Sequence, residues 1–192
     1  LIINKTALKI DNIKASLDGK ILDLVSKPEF SAVNIIIPSQ NVAVQGYANS
    51  NININGNFTV NGELSNPIVK GSLAVPSVSI PSIATYLKNM TVVYSGGNLI
   101  DVKVEYLLMA NSLMSLSAQV DSDLSKGIVA KNVVFNSRNF DLNVLSPIFK
   151  SMAKTSSFPL TVLNGRNSVQ SFKVGDIVSR NITSDISVYN NI

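Results

Sequence analysis

Between Asn51 and Leu64 the chain alternates without a break. Ile52, Ile54, Phe58, Val60 and Leu64 share one parity with Gly56 and Gly62, while Asn51, Asn53, Asn55, Asn57, Thr59, Asn61 and Glu63 hold the other. A period of two belongs to a strand with one apolar and one wet face, because a helix turning 100° per residue would smear it. Ordinary strands run about five or six residues, so this stretch predicts a long curved strand, kinked at Gly56 or Gly62.

The pattern returns from Ile100 to Leu108, with Ile100, Val102, Val104, Tyr106 and Leu108 against Asp101, Lys103 and Glu105. It returns again at Met114, Leu116, Ala118 and Val120 against Ser115, Ser117 and Gln119, and Asn111-Ser112 between the two runs reads as a hairpin turn. Shorter versions cover Val42–Gly46, Val69–Val75, Val133–Phe135, Phe140–Val144 and Ile182–Val188. Asp18-Gly19, Asn66-Pro67, Ser95-Gly96-Gly97, Lys126-Gly127 and Asn164-Gly165 punctuate them, which spaces the strands as an antiparallel meander. Leu1–Ile10 and Ile182–Val188 are then the edge strands of one sheet.

One segment departs from period two. Leu145, Ile148, Phe149 and Met152 fall at helical spacing behind Ser146 as N-cap and Pro147 at the first helical position. This predicts a short helix over 147–154, its apolar stripe against the sheet, followed by a loop at 155–159. With no other linker-like stretch, residues 1–192 read as a single all-β segment, mainly antiparallel, in one long curved sheet. Leu1 in place of an initiator Met suggests a piece of a longer protein.

Composition narrows the chemistry. Charged residues make up 15% and hydrophobic residues 45%, so Asn, Ser and Thr must supply the polar surface. The 16 Lys and Arg are scattered singly, which gives nucleic-acid binding no support. Cys, His and Trp are absent, which removes Cys nucleophiles, His-based triads and Cys or His metal centres. Asp121 and Asp123 are the closest carboxylate pair, but they precede Leu124-Ser125-Lys126-Gly127 and read as part of a turn. Gly96-Gly97 reads as a hairpin turn and not a phosphate loop, since no Gly-rich fingerprint opens a helix after it. No cofactor, metal site or catalytic residue is expected, and the chain reads as no enzyme.

What remains is the apolar stripe: Ile52, Ile54, Phe58, Val60, Leu64, Val102, Val104, Tyr106, Leu108, Met114 and Leu116. It is either the core of a closed sandwich or solenoid, as in a structural or adhesin domain, or the lining of an open groove for acyl chains. Strand length and the scarcity of large aromatics tilt toward the groove.

The text Gly56-Asn-Phe-Thr-Val-Asn-Gly-Glu-Leu-Ser-Asn-Pro-Ile-Val-Lys-Gly71-Ser-Leu-Ala-Val-Pro-Ser-Val-Ser-Ile80 resembles the repeated strand pair of the AsmA-like and TamB-like bacterial envelope proteins. Val133 to Met152, with Phe140-Asp141-Leu142-Asn143 leading toward a short helix, is similar to an element of the same family. The two matches cover about a quarter of the chain. The resemblance implies a repeating β-groove in the periplasm whose apolar face carries phospholipid acyl chains between inner and outer membranes. It also implies an inner-membrane anchor outside this segment, adjacent β-repeats of the same polypeptide as neighbours, and a link to envelope assembly proteins.

Overall fold

A computed structural model describes residues 1–43, 49–121, 123, 128–146 and 160–187. Among the described residues thirteen strands form one sheet, which is open and not closed into a barrel. The first nine follow one another as an antiparallel meander: β1 (Ile2–Ile10), β2 (Ile13–Leu22), β3 (Glu29–Val42), β4 (Asn51–Glu63), β5 (Ile68–Ile80), β6 (Thr85–Tyr94), β7 (Leu99–Met109), β8 (Ser112–Asp121) and β9 (Ile128–Ser137). Then β10 (Phe140–Asp141), β11 (Leu160–Val162) and β12 (Asn164–Val174) follow, with β11 and β12 parallel to β9. The hairpin partner β13 (Ile177–Ser187) closes the order. As the alternation predicts, β1 and β13 are edges, each paired on one side.

A single sheet leaves much surface in water. The chain exposes 12379 Å², against about 8,900 Å² expected for a compact monomer of its 20.6 kDa. The sandwich and solenoid alternatives do not describe it, since the strands form one continuous sheet.

Interruptions of the ladder bend that sheet. Lys5, Ala32, Asn89, Asn132 and Asn181 all lie inside strands with positive φ, between 32° and 54°. Each sits where a register shifts or a pair is skipped. Bulges of this kind increase local twist and turn the next side chain to the other face. The kink of β4 falls at Gly62, whose φ is 88°, opposite the shift between Phe30 and Val33 on β3.

Several sequence expectations need correction. Asp18-Gly19 and Asn164-Gly165 are not turns but lie within β2 and β12. Their glycines mark close backbone approach: a Cβ on Gly19 would stand 2.5 Å from the Val33 Cα, and one on Gly165 would stand 2.6 Å from the Val133 carbonyl oxygen. The β7–β8 turn is Ala110–Asn111, one residue earlier than predicted, with Ala110 at φ 51°. Asn139 holds it, donating to the Asn111 carbonyl and accepting from the Leu113 N–H at 3.1 Å.

The helix also starts earlier. Residues 142–146 are helical, so Phe140–Val144 is not one strand and Ser146 is not the N-cap. Asp141 takes that place, its carboxylate accepting the Asn143 N–H at 3.0 Å. The predicted 147–154 helix and 155–159 loop lie outside the described residues, as do Val44–Gly46 and Lys126-Gly127.

Gly71 provides a direct test of the register. It pairs with Phe58 on one side and Tyr94 on the other, and an added Cβ would lie 2.3 Å from the Asn57 carbonyl oxygen and 2.6 Å from the Phe58 Cα. The obstacle is backbone, which cannot swing aside as a side chain would. Gly71→Ala should cost roughly 2 to 4 kcal/mol, while Gly97→Ala, whose Cβ meets nothing within 4 Å, should cost under about 0.5 kcal/mol. Urea unfolding of the two variants measures the difference.

Candidate functional site: the apolar face

The registers assemble the apolar parity into rows that run across the strands. One row reads Leu17, Ile35, Phe58, Gly71, Tyr94, Ile100, Val120 and Ala130, from β2 to β9, each facing the next. Beside it run Ile37, Gly56, Leu73, Val92, Val102 and Ala118. The next row is Val75, Met90, Val104, Leu116 and Phe135. The last is Val42, Ile52, Val78, Leu87, Leu107 and Met114. Neighbouring strands stand about 4.8 Å apart, so the first row alone extends roughly 34 Å across eight strands.

The opposite face is wet, and hydrogen-bond ladders take the place of charge there. Gln119 donates to Asp101 at 3.0 Å, Asn132 donates to Gln119 at 2.7 Å, and Asn164 donates to Asn132 at 3.0 Å. Thr59 donates to Asn34 at 3.2 Å, and Asn34 to Asp18 at 3.4 Å. Glu105 accepts from Lys103 at 2.9 Å and from Asn89 at 3.1 Å, which holds its carboxyl below the usual range, Lys103 contributing most.

The structure gathers most, but not all, of the sequence-predicted stripe. Ile52, Ile54, Phe58 and Val60 share the apolar face of β4, with Ile54 buried. Val102, Val104, Met114 and Leu116 share the same face on β7 and β8, with Val104 and Met114 buried. Leu64 lies past the end of β4, 52% exposed in the turn.

Tyr106 and Leu108 turn the other way. The β7–β8 register slips between Val104 and Leu107, so that Val104 faces Leu116 while Leu107 faces Met114. Leu116 and Met114 are two apart on an unbroken strand and share a face, so Leu107 and Met109 replace Tyr106 and Leu108 on the apolar side. Burial agrees, because Met109 is buried and packs with Leu107 in the cluster around Met114. Tyr106 instead meets Tyr86 edge to face at 6.3 Å, and Lys88 lies over the Tyr86 ring. Strict alternation counted through the bulge misassigned both residues and missed Leu107 and Met109.

At one end residues 140–146, which follow β9, pack on the apolar face. Leu145, fully buried at 0% exposure, packs with Met109 and Met114, with Leu107, Phe135 and Phe140 around them. Phe140 meets Phe135 edge to face and stacks on Phe172 at 5.8 Å. Buried Ser112 accepts the Asp141 N–H at 3.3 Å, which ties the start of the helix to β8.

Asp121 accepts the Asp123 N–H at 3.0 Å, the geometry of a turn and not of two carboxylates converging on a substrate. Among the described residues no group of three or more carboxylates could hold a metal ion, and no helix is long and apolar enough to cross a membrane. No family model, curated protein or solved structure matches the chain.

Proposed function

We propose that this chain is a non-catalytic segment of a periplasmic envelope protein, related to the AsmA-like and TamB-like proteins, whose apolar face shields phospholipid acyl chains in transit between membranes. The observation that carries the reading is the open sheet crossed by parallel apolar rows, a surface without a covering second sheet among the described strands. An acyl chain laid along a row is covered on one side by Ile, Val, Leu and Phe. Each square ångström of apolar surface taken from water contributes about 25 cal/mol, so many partial contacts hold a chain without a headgroup pocket. In the same reading, adjacent β-repeats pair with the edges β1 and β13, and envelope assembly proteins are partners of the whole polypeptide.

Lipid retention tests it. The chain, purified from a bacterial envelope in mild detergent, is expected to release phospholipid on organic extraction at a sub-stoichiometric to equimolar ratio, with little headgroup preference. Protein that is folded by circular dichroism yet carries no phospholipid, and takes none up from labelled micelles, would remove the proposal.

A further inference from the structure

The apolar rows change character toward one side of the sheet. Past Leu116 the third row reaches Phe135 on β9, and its continuation is Asn167 on β12 and Ser184 on β13, while past Met114 the fourth row meets Ser137. Both rows thus give way to hydroxyl and amide side chains at β9 and β12. Residues 140–146 settle on the sheet at this same boundary, with Leu145 buried against Met109 and Met114 and with Phe135 and Phe140 beside it. Among the described residues, no side chain of that cluster belongs to the first or second row.

The segment is fastened at three places. Phe140 pairs with Phe172 of β12 and the two rings stack at 5.8 Å. The Asp141 N–H donates to Ser112 of β8 at 3.3 Å. Asn143 and Gly175 exchange two bonds, the Asn143 amide donating to the Gly175 carbonyl at 3.1 Å and the Gly175 N–H donating to the Asn143 side-chain oxygen at 2.8 Å. Held to β8, to β12 and to the β12–β13 turn, it is a fixed part of the apolar face. An aliphatic side chain of the protein itself therefore fills the place that an acyl chain would take there.

We infer that Leu145, with Phe140 behind it, is an end stop of the acyl-chain surface, which keeps lipid in the third and fourth rows on the β3-to-β7 side and away from β12. Resting on the acyl-chain reading, this gives those two rows one closed end. The space before the stop is sufficient: from Val42 on β3 to Leu107 on β7 the fourth row spans four strand spacings, about 19 Å, against the roughly 15 Å that one leaflet of a bilayer core gives an acyl chain. One chain fits there with its end at Leu107.

The protein has no Trp, so a single introduced Trp reports its own surroundings. Leu87→Trp places it in the fourth row on β6, before the stop, and Phe172→Trp places it on β12, behind the stop. The full chain is loaded from detergent micelles with phosphatidylcholine brominated on its acyl chains, and with the unbrominated lipid as reference, since bromine quenches only a Trp that it approaches closely. Leu87→Trp should lose most of its fluorescence and Phe172→Trp should keep nearly all of it. Adding Leu145→Ala to Phe172→Trp should bring quenching to β12, whereas Leu145→Met, which conserves volume, should not. The comparison of the two Trp sites leaves Leu145 in place, so it decides the matter even where circular dichroism shows Leu145→Ala unfolded. Equal quenching at the two sites with Leu145 in place, or an unquenched Phe172→Trp in a folded Leu145→Ala protein, would overturn the stop and leave the acyl-chain reading standing. Quenching at neither site, with no brominated lipid retained on the protein, would remove the acyl-chain reading and the stop with it.

Discussion

Replacing Val104 with Asp is expected to lower the melting temperature by about 10 °C or more, while Lys103→Asn, one residue away, shifts it by no more than about 2 °C. Val104 is 6% exposed between Met90 and Leu116 in the middle of an apolar row. A carboxylate set between these apolar side chains must either stay charged in apolar surroundings or take up a proton, at a cost of roughly 3 to 5 kcal/mol. Lys103 points to the wet face and its pair with Glu105 is exposed, so losing it removes under about 1 kcal/mol. Thermal melts followed by far-ultraviolet circular dichroism measure both. Similar shifts at the two positions would contradict the division of β7 into two faces.

The second large effect is expected at the crossover. Leu145→Ala should destabilise the protein by about 3 kcal/mol, since Leu145 is wholly buried against Met109 and Met114. Val144→Ala, at a position 42% exposed, should cost under about 0.5 kcal/mol. Among the described residues, that buried side chain and the bond from the Asp141 N–H to Ser112 tie the helical residues 142–146 to the sheet. Urea unfolding gives the comparison, and equal costs at 144 and 145 would mean that the helix does not anchor through Leu145.

How far the sequence is readable follows from where alternation is intact. The run Asn51–Leu64 is legible because β4 carries no residue that reverses its faces before Gly62, so counting by twos gives both the strand and its apolar side. β3 is hard to read for the opposite reason. Ile35, Ile36 and Ile37 are consecutive, and the register slips on either side of them, between Phe30 and Val33 and between Ile37 and Gln40. In β7 the strand is plain, but its faces exchange at the slip beyond Val104, and no single residue in Glu105-Tyr106-Leu107 announces that. The positive φ of Asn89, Asn132 and Asn181 offers a usable signal: Asn tolerates this conformation better than most residues, so an Asn inside a strand-like run marks a candidate reversal. Gly19 and Gly165 show the converse, because glycine serves close strand approach as readily as it serves a turn.

The most direct measurement of the central claim is a photo-crosslinking scan along β7 in intact envelopes. A photoreactive side chain is placed in turn at Val102, Lys103, Leu107 and Leu108, and the protein is recovered for mass analysis of attached lipid. The account predicts phospholipid adducts at Val102 and Leu107, which share the apolar face across the bulge, and none at Lys103 and Leu108. Adducts at Leu108 in place of Leu107, adducts without regard to face, or adducts at none of the four would contradict it.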